Sequence, residues 1–204
     1  MIAIIDYGVG NLFSLKSSLK YIGQDVVITG RPEVIERADR LILPGVGAFC
    51  DAAEKLRVSG LDEVVVREAG RGKPLLGICL GMQMLFEKSF EFGEHNGLGL
   101  LPGVVTPIKP LLPPDYKIPH IGWNALRFPT GEKSPLFKYT AEGDHVYFVH
   151  SYHAANCGGC VIVTTEYGIM LTAAAGAGNV FGTQFHPEKS GEVGLNILRA
   201  FAEV

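Results

Sequence analysis

Basic clusters are missing from this chain. Its 18 Lys and Arg are outnumbered by 21 Asp and Glu, for a formal net charge of −3. Binding to a nucleic-acid backbone or an anionic membrane surface is therefore not expected. Long apolar runs are missing as well: nothing approaches the ~20 residues that a membrane-spanning helix requires. Residues 1–6 (Met-Ile-Ala-Ile-Ile-Asp) offer neither the basic start nor the apolar length of a secretory signal. Cysteine is scarce, with 4 in 204 residues, too few and too scattered for a disulfide framework. These absences point to a cytoplasmic, reduced protein. Nucleotide motifs are incomplete: Gly8-Val9-Gly10 follows the first apolar run, but position 13 is Phe where a dinucleotide fingerprint needs its third glycine, and there is no P-loop. No cofactor and no metal are expected.

What the chain does have is apolar content, 47% hydrophobic residues, enough to build a dense core rather than remain disordered. The first half alternates strand and helix patterns. Residues 2–6 read as a buried strand; Leu12, Leu15, Leu19 and Ile22 fall at helical spacing, with Asn11 as N-cap and Gly23 as the stop. Strands are expected at 25–29, 40–43 and 74–78, with helices at 49–57 and 61–70 between them. Such alternation implies a parallel sheet with helices on both faces. The second half begins with a proline-rich stretch at 107–119, expected to be extended and on the surface. Strand-like runs follow at 121–128, 145–150, 160–165 and 179–185, then a closing helix capped by Ser190 with Val193, Ile197 and Phe201 on one face. Consecutive strands without helices suggest an antiparallel extension. The expectation is one α/β domain over 1–204, with an open, mixed, mainly parallel sheet.

The chemistry concentrates at Pro74-Leu-Leu-Gly77-Ile-Cys79-Leu80-Gly81-Met-Gln83. An apolar run ending in Gly-x-Cys-x-Gly before a helical pattern is the signature of a nucleophile elbow. Gly77 and Gly81 relieve the crowding of so sharp a turn, and a helix N-terminus favours a thiolate. Of six histidines, His186 is the best-placed base: it ends an apolar strand, where reactive groups gather in open α/β sheets. Glu188, two residues on, points the same way in extended backbone and is suited to hold the imidazole. Cysteine, histidine and carboxylate then form an acyl-transfer triad. The oxyanion donors are the Leu80 N–H and an amide of the Pro44-Gly45-Val46-Gly47 loop, at Val46 or Gly47. A second cluster, His150-Ser-Tyr-His153-Ala-Ala-Asn-Cys157-Gly-Gly-Cys160, is read as a Gly-rich hairpin with incidental cysteines, zinc being the alternative. On residues alone two rivals stay open: a cysteine hydrolase of other specificity, and a non-catalytic module that keeps the fold.

Gly77-Ile-Cys79-Leu-Gly-Met-Gln83 together with Phe185-His-Pro-Glu188 resembles the class I (triad) glutamine amidotransferases. Further segments, Ile5-Asp-Tyr-Gly-Val-Gly-Asn-Leu12, Leu43 to Phe49, Pro119-His-Ile-Gly-Trp-Asn124, Tyr147 to Tyr152 and His186 to Gly191, resemble one subfamily, the glutaminase subunits of imidazole glycerol phosphate synthases. The resemblance implies hydrolysis of glutamine through a thioester on Cys79, with His186 as base and acid and Glu188 orienting it. It also implies glutamine contacts at Gln83, Ser151 and Tyr152, and a heterodimer with a (β/α)8-barrel cyclase subunit that consumes the ammonia. Asn11, Trp123 and Lys189 match positions at that interface. The short, Cys-rich 153–160 loop departs from the subfamily pattern. A different ammonia-using synthase remains the alternative partner.

Overall fold

The computed structural model describes residues 1–129 and 133–204. The 204-residue chain opens with β1 (Ile2–Ile5), α1 (Leu12–Tyr21), β2 (Val26–Thr29), α2 (Pro32–Arg37) and β3 (Arg40–Gly45). It continues with α3 (Phe49–Val58), α4 (Leu61–Gly70), β4 (Leu75–Cys79) and α5 (Leu80–Met84). After α5 come β5 (Lys88–Ser89), β6 (His95–Asn96), β7 (Val104–Pro107), β8 (His120–Ala125), β9 (His145–His150) and β10 (Tyr152–Ala155). β11 (Val161–Tyr167), β12 (Ile169–Ala177), β13 (Val180–Thr183) and α6 (Gly191–Ala202) complete the chain.

Seven strands form the main sheet in the order β11-β12-β13-β4-β3-β1-β2. β2, β1, β3, β4 and β13 run parallel, and β12 and β11 add antiparallel to one edge. Each face covers a separate apolar cluster. One holds Ala3, Ile5, Leu41, Leu43 and Leu75 under α2, α3 and α4; the other holds Ile2, Ile4, Ile42, Leu76 and Ile78 under α1 and α6. Successive strand residues point to opposite faces, so these continuous apolar runs are what a sheet buried on both sides requires. Burying each Leu or Ile contributes roughly 1.5–3 kcal/mol.

The antiparallel extension is smaller than the strand-like runs suggest. Of these, 160–165 and 179–185 contribute β11 and β13 to the main sheet, whereas β8 and β9 pair only with each other, as a separate ribbon. β10, β7, β5 and β6 make a third, four-stranded sheet. The longest strand, β12, has an Ala-rich sequence without strand character. Its place between β11 and β13 overrides local preference. Both expected side-chain caps are absent. Asn11 occupies the N-cap position of α1 without a capping bond. Ser190 precedes α6, but its hydroxyl donates to the His186 carbonyl (2.6 Å) and accepts from the Tyr147 N–H (3.0 Å). Ser190 thus ties β9 to the segment carrying His186.

Candidate active site

β4 ends at Cys79, whose φ of 55° lies in the left-handed region, and α5 begins at the next residue. A non-glycine residue there is strained, and such strain persists only where its surroundings impose it. The surroundings are glycines. A Cβ on Gly81 would sit 1.9 Å from the Leu43 carbonyl oxygen, and one on Gly77 2.7 Å from the Gly81 carbonyl oxygen. One on Gly45 would lie 2.6 Å from the Gly81 nitrogen, and one on Gly182 2.5 Å from Met82 Cγ. α5 therefore lies directly against the backbones of β3, β4 and β13, and the turn has one way to fit.

β13 lies beside β4 in parallel register, with Thr183 opposite Ile78. The chain leaving β13 brings His186 beside Cys79. Both line one cavity of about 310 Å³ with Val46, Gly47, Leu80, Gln83, Ser151 and Tyr152. The sequence-assigned nucleophile, base, oxyanion donors and glutamine contacts thus share one chamber; Glu188 lies just behind it. The His186 Nδ1 is 2.8 Å from Glu188 Oε1, and both side chains are buried. Burial pulls the His186 pKa down, but its bonds to Cys79 and Glu188 push it further up, to about 9. Glu188 fixes Nδ1, and the bonds to Cys79 and Glu188 favour the charged form of the ring.

Three residues at or near the cavity had no role assigned from sequence. Glu91, between Phe90 and Phe92, reaches the cavity from the loop after β5 and accepts the Phe49 N–H at 2.7 Å. Burial pushes its carboxyl pKa up. Gln184 directs its amide nitrogen at Cys79 Sγ (3.8 Å) and accepts from Gln83 Nε2 (3.0 Å). Tyr7 donates its hydroxyl to the Pro44 carbonyl near the end of β3 at 2.7 Å. No periodicity marks these residues, because each enters from a loop or from the end of a strand.

Of the three positions matched to an interface, Trp123 and Lys189 both flank Tyr147: the Trp123 ring is edge-on to it at 6.1 Å and the Lys189 ammonium stands 5.9 Å from its centroid. Trp123 is 53% exposed, Ile121 57% and Val46 42%, so apolar surface is available on this side of the cavity. Asn11 lies instead behind His186 and Glu188, next to Pro44. The His150–Cys160 segment does not converge. His150 bonds to His120, the His153 ring nitrogens have no hydrogen-bond partner, and Cys157 and Cys160 are buried thiols at a short 3-10 turn. Among the described residues no group of three or more His, Cys, Asp or Glu is arranged to hold a metal.

A strained cysteine at a strand-to-helix elbow, beside a carboxylate-bound histidine over a doubly wound sheet, defines the class of cysteine-elbow amide hydrolases. Within that class the chain belongs to the class-I glutamine amidotransferases, a family matched over residues 3–203. It is 50% identical to the imidazole glycerol phosphate synthase subunit HisH of Bacillus cytotoxicus, covering 100% of this chain and 95% of that protein. It is also 50% identical to the subunit of the same name from Wolinella succinogenes, covering 100% of both chains. Among solved structures, a glutamine amidotransferase superposes with a TM-score of 0.77 at 20% identity, over 100% of this chain and 98% of that one. PurLQS from Thermotoga maritima superposes at 0.75 and 19%, over 99% and 97%. These two show the shared fold.

Proposed function

We propose that this chain is the glutaminase subunit of imidazole glycerol phosphate synthase, in histidine biosynthesis. It hydrolyses the side-chain amide of L-glutamine to glutamate and ammonia and passes the ammonia to a cyclase subunit. The full-length relatives named as that synthase's HisH subunit support the assignment. The observation that carries the chemistry is the meeting of Cys79 and the His186–Glu188 pair in one cavity.

Cys79 attacks the carboxamide carbon as a thiolate, paired with protonated His186. The tetrahedral oxyanion is held by the Leu80 N–H and an amide from Val46 or Gly47. His186 gives its proton to the departing ammonia, then takes one from the water that releases glutamate from the thioester. Gln83, Ser151 and Tyr152 hold the substrate. Glu91 is the only carboxylate among the described residues of the cavity wall, and it is suited to the ammonium group of an amino-acid substrate.

The partner is the (β/α)8-barrel cyclase subunit, forming a heterodimer through the face carrying Trp123 and Lys189, with Asn11 at its margin. That cyclase takes a phosphoribulosyl-formimino aminoimidazole carboxamide ribonucleotide and, with ammonia, yields imidazole glycerol phosphate and the aminoimidazole carboxamide ribotide. No helix among the described residues is long and apolar enough to cross a membrane, in keeping with assembly in the cytoplasm.

Glutamate release measured with and without the cyclase and its nucleotide substrate tests the assignment. Release is expected to be weak alone and strongly stimulated by the liganded partner; equal rates would count against it. Cys79→Ala should lose glutamine-dependent synthesis by at least about 10⁴-fold while ammonia-dependent synthesis by the complex persists. Retained use of glutamine would remove Cys79 from its role.

A further inference from the structure

A hydrogen-bonded chain runs from the cavity to the outer side of the β8–β9 ribbon. Gln184 Nε2 lies 3.8 Å from Cys79 Sγ, and Gln184 Oε1 accepts from Gln83 Nε2 at 3.0 Å. Gln83 Nε2 gives its other hydrogen to the Tyr152 carbonyl at 3.2 Å. The same carbonyl is 2.8 Å from His150 Nδ1. His150 Nε2 is 2.9 Å from His120 Nδ1, and His120 Nε2 is 3.1 Å from Asn124 Oδ1. Asn124 Nδ2 donates to the Glu166 carbonyl at 2.7 Å.

Proton counting along this chain leaves little freedom. A carbonyl only accepts, so Tyr152 requires a hydrogen on His150 Nδ1. Glu166 turns the Asn124 amide so that its oxygen faces His120, which requires a hydrogen on His120 Nε2. The bond between the two rings requires a third hydrogen. Two neutral imidazoles bring one each, so a neutral pair would set two lone pairs against each other at 2.9 Å.

We propose that His120 is a buried imidazolium that donates at both edges, with His150 neutral beside it, and that this charge positions the Tyr152 carbonyl and Gln83 on the cavity wall. The ring environment suits a cation. His120 is stacked between Tyr167, with centroids 4.0 Å apart, and Phe148, 4.9 Å apart, each at 21°. Both aromatic faces present negative potential to it. Burial draws both histidines down. It takes His150 to about 3, as expected of the ring that stays neutral. Burial also pulls His120 down, while the Asn124 bond, the bond donated to His150 and the two stacked faces pull the other way. Two charge-assisted hydrogen bonds and the stacked rings weigh against burial. The other titratable groups facing the pair are Tyr167 from β11 and His153 from β10, with His186 beyond them. No carboxylate among the described residues bonds to either ring. A proton on His120 strengthens His150 as a donor to Tyr152, and thereby fixes the carbonyl that Gln83 grips. His120 lies outside the cavity lining and acts through His150, so it is a positioning residue.

The effect on catalysis rests on the glutaminase reading; the proton count does not. Nitrogen-detected NMR of the histidine rings in the full chain, from about pH 5 to about pH 9, is the direct test. His120 should carry hydrogens on both nitrogens at about pH 7 and lose one at higher pH, while His150 stays protonated only at Nδ1. A singly protonated His120 at about pH 7 overturns the proposal. In the complex with the cyclase, His120→Gln should raise KM for glutamine about tenfold with kcat changed less than about threefold, the scale of one charge-assisted bond. Ammonia-dependent synthesis should be unaffected, and kcat/KM should lose the pH limb that coincides with His120 deprotonation. An unchanged KM and pH profile would overturn the positioning role. Should the wild-type complex release no glutamate from glutamine, the glutaminase reading fails and the NMR result stands by itself.

Discussion

Two glycine-containing turns bound the cavity, and they use glycine for opposite reasons. At the elbow the reason is crowding: Gly77 and Gly81 leave no room for a Cβ, with clashes of 2.7 and 1.9 Å, and Gly45 of β3 faces Gly81 as closely, at 2.6 Å. At the end of β3 the reason is backbone conformation. Gly47 has φ +91° and nothing within 4 Å of where a Cβ would stand. The elbow is held by the packing of a whole helix on three strands. β3 itself is held through Pro44 and Gly45, paired with Ile78 and Cys79 of β4, whereas Val46 and Gly47 beyond it are exposed. One wall of the cavity therefore presents a packed elbow, and the other an exposed turn at Val46 and Gly47. That contrast is what the proposed partner-dependent reaction would use, with Cys79 fixed and the proposed second oxyanion donor on the exposed turn.

The contrast is open to measurement. The largest effect is expected from Gly81→Ala. Its Cβ meets backbone that cannot yield without moving α5 off the sheet, so a loss of about 4 kcal/mol or more is expected in urea unfolding. A near-neutral Gly81→Ala would show that the elbow is not packing-locked.

The charge at the elbow gives a smaller effect. His186 is raised to about 9, above the ordinary value of about 6.5. The stability it contributes is fully present below about pH 6.5 and lost as pH climbs through about 9. Glu188→Gln removes part of that upward pull. Stability should drop by up to about 3 kcal/mol below about pH 6.5, and the gap to wild type should close above about pH 9. A gap that stays constant with pH would assign Glu188 a packing role only.

Gly47→Ala should be the mildest. It meets no atoms, and a left-handed φ costs an alanine roughly 1–2 kcal/mol. Partner-stimulated glutaminase should change more than stability does, because the substitution biases the loop rather than the fold. Equal destabilisation by Gly47→Ala and Gly81→Ala would break the distinction between the two turns.

Much of the parallel half was legible. β1 to β4, α1, α3 and α4 fall within a residue or two of their expected bounds, because period-2 and period-3.6 apolar patterns directly report which faces are buried. The elbow could be read from Gly77, Cys79 and Gly81 because crowding there excludes every other residue type from the glycine positions. The second half was less legible. β12 looks Ala-rich rather than strand-like, and it is a strand only because β11 and β13 flank it. β8 and β9 have strand patterns that do not say which strands they join. Ser190 looked like a cap for α6, yet its hydroxyl joins β9 to His186 instead.

The site divides in the same way. Cys79, His186 and Glu188 carry their chemistry in side-chain type and local spacing, and local spacing is a property of sequence. That His186 stands beside Cys79 depends on β13 lying next to β4, and this pairing is a long-range contact no local pattern encodes. The same holds for Glu91, Gln184 and the His120–His150 pair, which come from different elements and meet only in the folded chain. The amino-acid sequence by itself determined the doubly wound half, the elbow and the residue types of the proposed triad. Tertiary packing alone decided which side chains line the cavity and which hydrogen bonds they make, because burial and hydrogen-bond partners are set by neighbours far apart in the chain.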